Sequence, residues 1–397
     1  MKVVYLLNIF PKISETFILN EIRVVQKKGI SVKVFAYADP KEMFVHPKVR
    51  EIKSVTYFFK ANIFQVLFAH LYWLLRSPAG YFRAAGLVLR HGDRIRKLFL
   101  IHLYDTVLVH RSKPDHLHAH FGESLGDIAS ANLAMVLHVL SGTPYTFTTY
   151  AHDIFDMPAT NYPIKSKLAK KHITVSEYNK RFLVEKFGVA ENDIQVVVSG
   201  IDFEQVAACA KKADPTLPAG KRTILCIARL SKEKGLDVLV QACKRLVDSA
   251  TEFQCVIVGD GVERQRLETL IRRTGLSEKV LLVGYQSQPQ VFEWFNKADV
   301  MVLPSYSEGI PLSLMEAMAF RVPVVASDIC GNPELIKSGE NGFLMPAGDD
   351  GGFAERIKEI LENEGLRDAF VKKGYETVYR EFNLDTQVDK LLAIWKA

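Results

Sequence analysis

Short apolar runs alternate with amphipathic stretches along almost the whole chain. Residues 3–10 predict a strand, 17–28 a helix and 30–37 a second strand. Short buried strands alternating with helices predict parallel sheets with helices on both faces. The rhythm breaks between about 60 and 110. Residues 63–75 are apolar but too few to cross a bilayer. Arg76, Arg83, Arg90, Arg94, Arg96 and Lys97 follow among Leu, Phe and Tyr. A basic amphipathic helix of this kind can lie in a membrane interface and bind anionic lipid. The plainer alternative is a pair of helices covering the sheet with a solvated basic face.

The alternation resumes at 116–120, 145–150, 172–175 and 195–198. Residues 211–221 are rich in Pro, charge and Gly, which marks a linker. A second series opens at 223–228 and continues through 255–258, 280–283, 300–303 and 322–326. The expected fold is therefore α/β, with two doubly wound parallel-sheet domains of Rossmann-like type at 1–200 and 201–379. An amphipathic closing helix, within about 380–397, is expected to pack back on the first.

Composition narrows the class. The 397 residues are 48% hydrophobic and 24% charged, as in ordinary globular chains, and suffice for two cores. A net charge of +6 suits an anionic ligand or membrane face, or is only a mild bias. There is no Lys/Arg block or zinc-finger spacing that would point to nucleic acid. Cys209, Cys226, Cys243, Cys255 and Cys330 are odd in number and irregularly spaced, which speaks against disulfides and structural zinc. The first apolar run stops at Pro11, and reads as a buried strand rather than a secretory signal. The cytoplasm is the expected compartment.

Candidate chemistry concentrates where strands meet helices. The strand at 300–303 runs into Glu308, Gly309, Ile310, Pro311 and Leu312, with Glu316 about a turn further on. Pro311 suits the first helical position, so the helix offers unpaired N–H groups and a positive dipole end to a phosphate. One glutamate can hold hydroxyls of a transferred sugar and the other those of a ribose. Arg229 ends the strand at 223–228 and Lys234 precedes the next helix; two cations there can neutralise a departing diphosphate, the alternative being surface cations.

In the first half, His152 and Asp153 follow the strand at 145–150 and can bond a sugar. His118 and His120 alternate as in a strand; they can ligate a metal, but no third ligand is evident, which favours packing. Ser14, Glu15 and Thr16 sit at the first strand-to-helix turn, where a hydroxyl can cap the helix or meet an acceptor. Gly259-Asp260-Gly261 has Arg264 where a dinucleotide fingerprint needs a third glycine.

Together these residues resemble glycosyltransferase family 4, retaining enzymes of the GT-B fold. The likeness rests on Glu308 to Glu316 in Ser-Glu-Gly-Ile-Pro-Leu-Ser-Leu-Met-Glu-Ala, with Arg229, Lys234, Gly261, Gly284 and Gly331-Asn-Pro-Glu-Leu335 in order. It covers nearly the whole second half and, more thinly, the first. The runs from Phe10 to Phe17 and from His118 to Phe121 are similar to the colanic-acid and exopolysaccharide branch. Most relatives have a glycine-rich loop at the first turn, and Ser14-Glu15-Thr16 departs from it.

The resemblance implies two facing domains with a cleft between them. It implies Arg229 and Lys234 as diphosphate binders, Glu316 as the ribose ligand and Glu308 as a donor-sugar contact. Gly284 and Tyr285 would form the base site, and His152 would stand near the reacting carbon. The implied reaction moves sugar from a UDP- or GDP-sugar to a saccharide or lipid-linked saccharide, by front-face attack, with no carboxylate nucleophile, cofactor or divalent metal. It also favours peripheral membrane contact at 60–110 on the inner face. The rival readings are a GT-B-fold sugar-nucleotide epimerase, a phosphorylase, and a non-catalytic nucleotide-sugar-binding subunit of a polysaccharide assembly complex.

Overall fold

A computed structural model describes residues 1–12, 15–39, 49, 51–52, 54–90, 97–100, 102–123, 129–156, 161–210 and 222–397. The expected linker, the Ser14 turn position, Arg94 and Arg96 lie outside them. The chain divides into two compact units. One comprises Met1–Val198 with Gln387–Ala397, the other Ser199–Thr386.

The first unit holds seven strands: β1 (Lys2–Ile9), β2 (Ser31–Ala38), β3 (Val55–Tyr57), β4 (His116–His120), β5 (Tyr145–Thr149), β6 (Lys171–Thr174) and β7 (Ile194–Val196). They pair in the order β3-β2-β1-β4-β5-β6-β7, every pair parallel. β4 and β5 are buried along their whole length, as strands covered on both faces must be. The helices used below are α1 (Thr16–Lys27), α2 (Ile63–Arg76), α3 (Pro78–Arg90), α4 (Leu103–Arg111), α5 (Ser130–Ser141) and α6 (Ala151–Phe155).

The second unit holds β8 (Arg222–Ile227), β9 (Phe253–Val258), β10 (Val280–Gly284), β11 (Val300–Leu303), β12 (Val324–Ser327) and β13 (Phe343–Met345). Its order is β10-β9-β8-β11-β12-β13, again all parallel. Each sheet therefore reverses direction of winding beside its own first strand, between β1 and β4 and between β8 and β11. Loops leaving the carboxyl ends of those strands are where such sheets bind ligands. Here α7 (Leu236–Asp248) follows β8 and α8 (Leu312–Ala319) follows β11. The last helix is α9 (Leu384–Lys396), and its Val388, Leu391, Leu392 and Trp395 are buried. Trp395 Nε1 donates to Thr146 Oγ1 at 3.0 Å, inside the first unit.

The break at 60–110 has a clear physical form. On α2 only Ala69 and Trp73 are buried, and Trp73 Nε1 bonds Thr106 of α4 at 2.7 Å. Most of the remaining apolar residues stand in water: Phe64 is 78% exposed and Leu75 74%, with Ile63, Leu67, Phe68 and Leu71 along the same side. The exposed face of α2 is thus apolar rather than a solvated basic one. Arg76, Arg83, Arg90 and Lys97 are exposed as well. Among the described residues no helix is long and apolar enough to cross a membrane.

Candidate active site

The second unit gathers most of the expected donor residues at its switch point. Lys234 Nζ lies 2.7 Å from Glu308 Oε1, and Ser305 Oγ donates to the same oxygen at 2.7 Å. Glu308 is only 8% exposed. A buried carboxylate needs such partners to stay charged. The two loops are also joined by backbone, since Tyr306 N–H donates to the Glu233 carbonyl at 2.8 Å. Gly235 makes the close approach possible: it has φ +59°, and a Cβ there would strike the Pro304 carbonyl.

The Gly259-Asp260-Gly261 run acquires a different role from a phosphate fingerprint. With φ values of 137° and 157°, Gly259 and Gly261 lie against the Ala228 and Leu230 carbonyls, where no Cβ fits. Leu230 N–H donates to the Asp260 carbonyl at 2.9 Å. These contacts hold the loop that carries Arg229. The Arg229 side chain is 67% exposed, with Glu233 at 3.5 Å.

The helix after β11 starts one residue later than expected. Pro311 is the N-cap, with φ −70° and ψ 123°, and Leu312 is the first helical residue. Proline's fixed φ suits this extended cap as well as it suits the first turn. No side chain caps α8; Leu314 N–H donates to the Pro311 carbonyl at 3.2 Å, and a helix start without a side-chain cap suits an anion. Glu316 follows one turn in and is half-buried. Burial pushes its carboxyl up to about 7, against an opposing hydrogen bond from Gln288. Gly309 packs against Gly331 closely enough that a Cβ on Gly331 would meet its carbonyl, and Ile310 is buried. Gly284 closes β10 with φ +76°, and Tyr285 beyond it is 40% exposed.

In the first unit the expected residues separate. His152 begins α6 rather than ending β5; its side chain is exposed and its Nδ1 lies 2.8 Å from Asp156 Oδ2. Asp153 points the other way. It is buried and accepts from the Tyr150 N–H at 2.6 Å and the Gly122 N–H at 2.7 Å. Burial raises its carboxyl to about 7. The sequence reading of Asp153 as an acceptor contact is corrected by this: its oxygens are committed to backbone donors that fix the loop after β4 to the start of α6. Glu15 is the N-cap of α1, without a side-chain cap bond, and pairs with Lys12 at 2.7 Å; Thr16 is the first helical residue, not the cap.

His118 and His120 are fully buried, and the sequence reading missed their neighbour. Glu21 of α1 brings Oε1 to 3.3 Å from His120 Nε2 and 3.6 Å from His118 Nε2. It is a third ligand-type group that no spacing could reveal, because it lies on another element. Ser305 and Gln288 were missed likewise. Ser305 stands two residues before the quoted motif, whereas nothing in the sequence singles out Gln288.

Comparison with known proteins gives these residues a context. Residues 14–205 match the family model Glycosyltransferase Family 4, and 210–377 match Glycosyl transferases group 1. The putative colanic acid biosynthesis glycosyltransferase WcaL of Salmonella typhimurium is 29% identical, with 96% of each chain covered. The amylovoran biosynthesis glycosyltransferase AmsK of Erwinia amylovora is also 29% identical, over 96% of each. Among solved structures, Anabaena HepE in complex with UDP and glucose superposes with a TM-score of 0.75 at 18% identity, covering 99% of this chain and 98% of that one. Sucrose-phosphate synthase from Thermosynechococcus elongatus gives 0.73 at 18%, covering 100% and 98%. Matched in order by both models and along nearly its whole length by exopolysaccharide relatives, the chain belongs to glycosyltransferase family 4 and has the GT-B fold.

Proposed function

We propose that this chain is a retaining glycosyltransferase that moves a hexose from a UDP- or GDP-sugar to a saccharide or lipid-linked saccharide in exopolysaccharide, capsule or lipopolysaccharide synthesis. The observation that carries the reading is the Lys234–Glu308 pair beside the uncapped start of α8. A diphosphate at that helix end meets backbone N–H groups, the positive dipole end and a fixed ammonium. Arg229, exposed on the neighbouring loop, adds a second cation. Charge growing on the leaving group is then met by preorganised donors, work done elsewhere by a metal ion. Glu308 holds Lys234 through Oε1, which leaves Oε2 to accept from a donor-sugar hydroxyl.

Glu316 takes the ribose hydroxyls, and Gly284 with Tyr285 flanks the base. His152 stands near the reacting carbon. The departing phosphate oxygen takes the acceptor proton, so the reaction needs neither a carboxylate nucleophile nor a divalent metal at the diphosphate. Relatives named for colanic acid and amylovoran synthesis, and the UDP bound by HepE, support the substrate class. The apolar outer face of α2, with Arg76, Arg83, Arg90 and Lys97 exposed in the same region of the chain, supports peripheral contact with anionic lipid at the cytoplasmic face, where lipid-linked acceptors reside.

The test is a thermal-shift screen against UDP-, GDP- and ADP-sugars, since a ligand selective for the folded state raises its melting point. The stabilising donor is then offered acceptors, and the product anomer is assigned by NMR. Retention is expected, without stimulation by added Mg2+ or Mn2+. Inverted product, or isomerised donor with no transfer, would overturn the reading.

A further inference from the structure

The first unit carries a cluster that the donor chemistry does not use. Glu21, His118 and His120 each offer one ligand atom, and these lie within 4.8 Å of one another. Both imidazoles are wholly buried, while the Glu21 side chain is 19% exposed. The three residues come from α1 and the carboxyl half of β4, beside the β1/β4 switch point.

The surrounding hydrogen bonds orient each group towards a common centre. His118 Nδ1 contacts Thr146 Oγ1 at 2.8 Å, and His120 Nδ1 contacts the Tyr150 hydroxyl at 2.8 Å. Both rings are thereby held from the rear, and both Nε2 atoms turn to Glu21. Tyr5 donates to Glu21 Oε1 at 2.9 Å and steadies the carboxylate. Among the described residues His120 Nε2 is buried with no hydrogen-bond partner, and His118 Nε2 has besides Glu21 only Thr148 Oγ1 at 3.4 Å. A buried ring nitrogen without a partner is costly unless something accepts its lone pair.

The spacing fits a small ion. With bonds of about 2.0–2.2 Å, tetrahedral ligand atoms stand roughly 3.3–3.6 Å apart. Two of the three separations, imidazole to carboxylate, are 3.3 and 3.6 Å, and the two imidazole nitrogens lie within 4.8 Å of each other, close enough for a small shift to bring all three onto one ion. Two imidazoles and one carboxylate suit zinc better than magnesium or calcium, which prefer oxygen shells. Rear hydrogen bonds on each ligating His are the usual support of such sites.

We propose that Glu21, His118 and His120 bind one zinc ion, which ties α1 to the end of β4 and keeps a fourth coordination position for water or a hydroxyl oxygen. This site goes beyond the donor reading: all its ligands belong to the first unit, and none handles the diphosphate.

The experiment uses tag-free, full-length protein stripped with a chelator and titrated with Co2+, followed by displacement with Zn2+. One equivalent of Co2+ with visible ligand-field absorption of tetrahedral intensity is expected, lost on adding Zn2+. Glu21→Gln and His120→Ala should abolish the colour. The conservative Tyr5→Phe, which removes only the hydroxyl on Glu21, should weaken binding about 10–100-fold. His152→Ala should bind like the wild type. A colourless titration of the wild type would overturn the site whatever the variants do. So would Co2+ bound equally by wild type, Glu21→Gln and Tyr5→Phe. Because the readout is metal binding alone, it fails or succeeds independently of donor transfer.

Discussion

Lys234 and Glu308, 74 positions apart, share an ion pair of 2.7 Å that Ser305 completes on the same oxygen. The pair fixes the ammonium against the strand-to-helix turn of β11 and α8, so the cation needs no reorganisation when diphosphate departs. On the proposed function, removing it strips the leaving group of a preorganised charge. Lys234→Ala is expected to lower kcat on the order of 10²-fold, read in steady-state transfer assays with saturating donor. Unchanged turnover would remove Lys234 from the chemistry.

Glu316 gives a pH test. Its carboxyl is pushed up to about 7 from an ordinary 4.5 by burial. The folded state therefore binds the proton more tightly than the unfolded state between those values. This contribution to stability is full below the unfolded pKa and declines as pH rises through the folded one. Asp153, raised to about 7 for the same reason, contributes with the same sign. In urea melts, Glu316→Gln is expected to reduce the fall in stability between pH 4.5 and 7, leaving Asp153's share. An unaltered slope would show that Glu316 does not titrate there.

In the proposed function the same residue holds the ribose of the donor. Ribose hydroxyls donate best to a carboxylate, so nucleotide affinity should strengthen as pH rises through 7. Glu316→Ala is expected to weaken nucleotide binding with a smaller effect on kcat. Calorimetry with the free nucleotide measures this directly. Wild-type affinity in the alanine variant would exclude the ribose role.

Asp153 is expected to be a stability residue. Asp153→Ala leaves the Gly122 and Tyr150 N–H groups unpaired in a buried place, at about 1–3 kcal/mol for each group left so. A lower urea midpoint with an unchanged m-value is the expected result. A variant as stable as the wild type would mean that water replaces the carboxylate.

Sedimentation with liposomes tests the α2 face. Binding to anionic vesicles should weaken as salt rises, and Phe64→Ser with Leu75→Ser should reduce it further, since 78% and 74% of these residues are already exposed. Equal pelleting with neutral vesicles would eliminate the electrostatic part.

Much of this was legible before any coordinates. Buried strands announce themselves by continuous apolar runs, and the strand-to-helix turn at Glu308 has a local signature. Residues joined through space left less trace. Glu21 meets His118 and His120 only because β1 brings α1 beside β4, and Gln288 reaches Glu316 from another helix. The adjacency of His152 and Asp153 in sequence was misleading for a different reason. Successive residues at a helix start diverge in direction, so one side chain faces solvent and the other the core. The outward apolar face of α2 was also hidden, because periodicity reports that a stripe exists but not which side is covered.

The first unit is closed by the final eleven residues, Gln387–Ala397. Besides the Trp395 bond to Thr146, Lys170 Nζ donates to the Trp395 carbonyl at 2.9 Å and Lys28 pairs with Asp389 at 2.8 Å. Domains ordinarily fold in the order of their synthesis. Here the half made earlier on the ribosome must wait for Gln387–Ala397 before its core is sealed. A change that removes Gln387–Ala397 would therefore injure the amino-terminal half, although every residue of that half up to Val198 had been translated correctly.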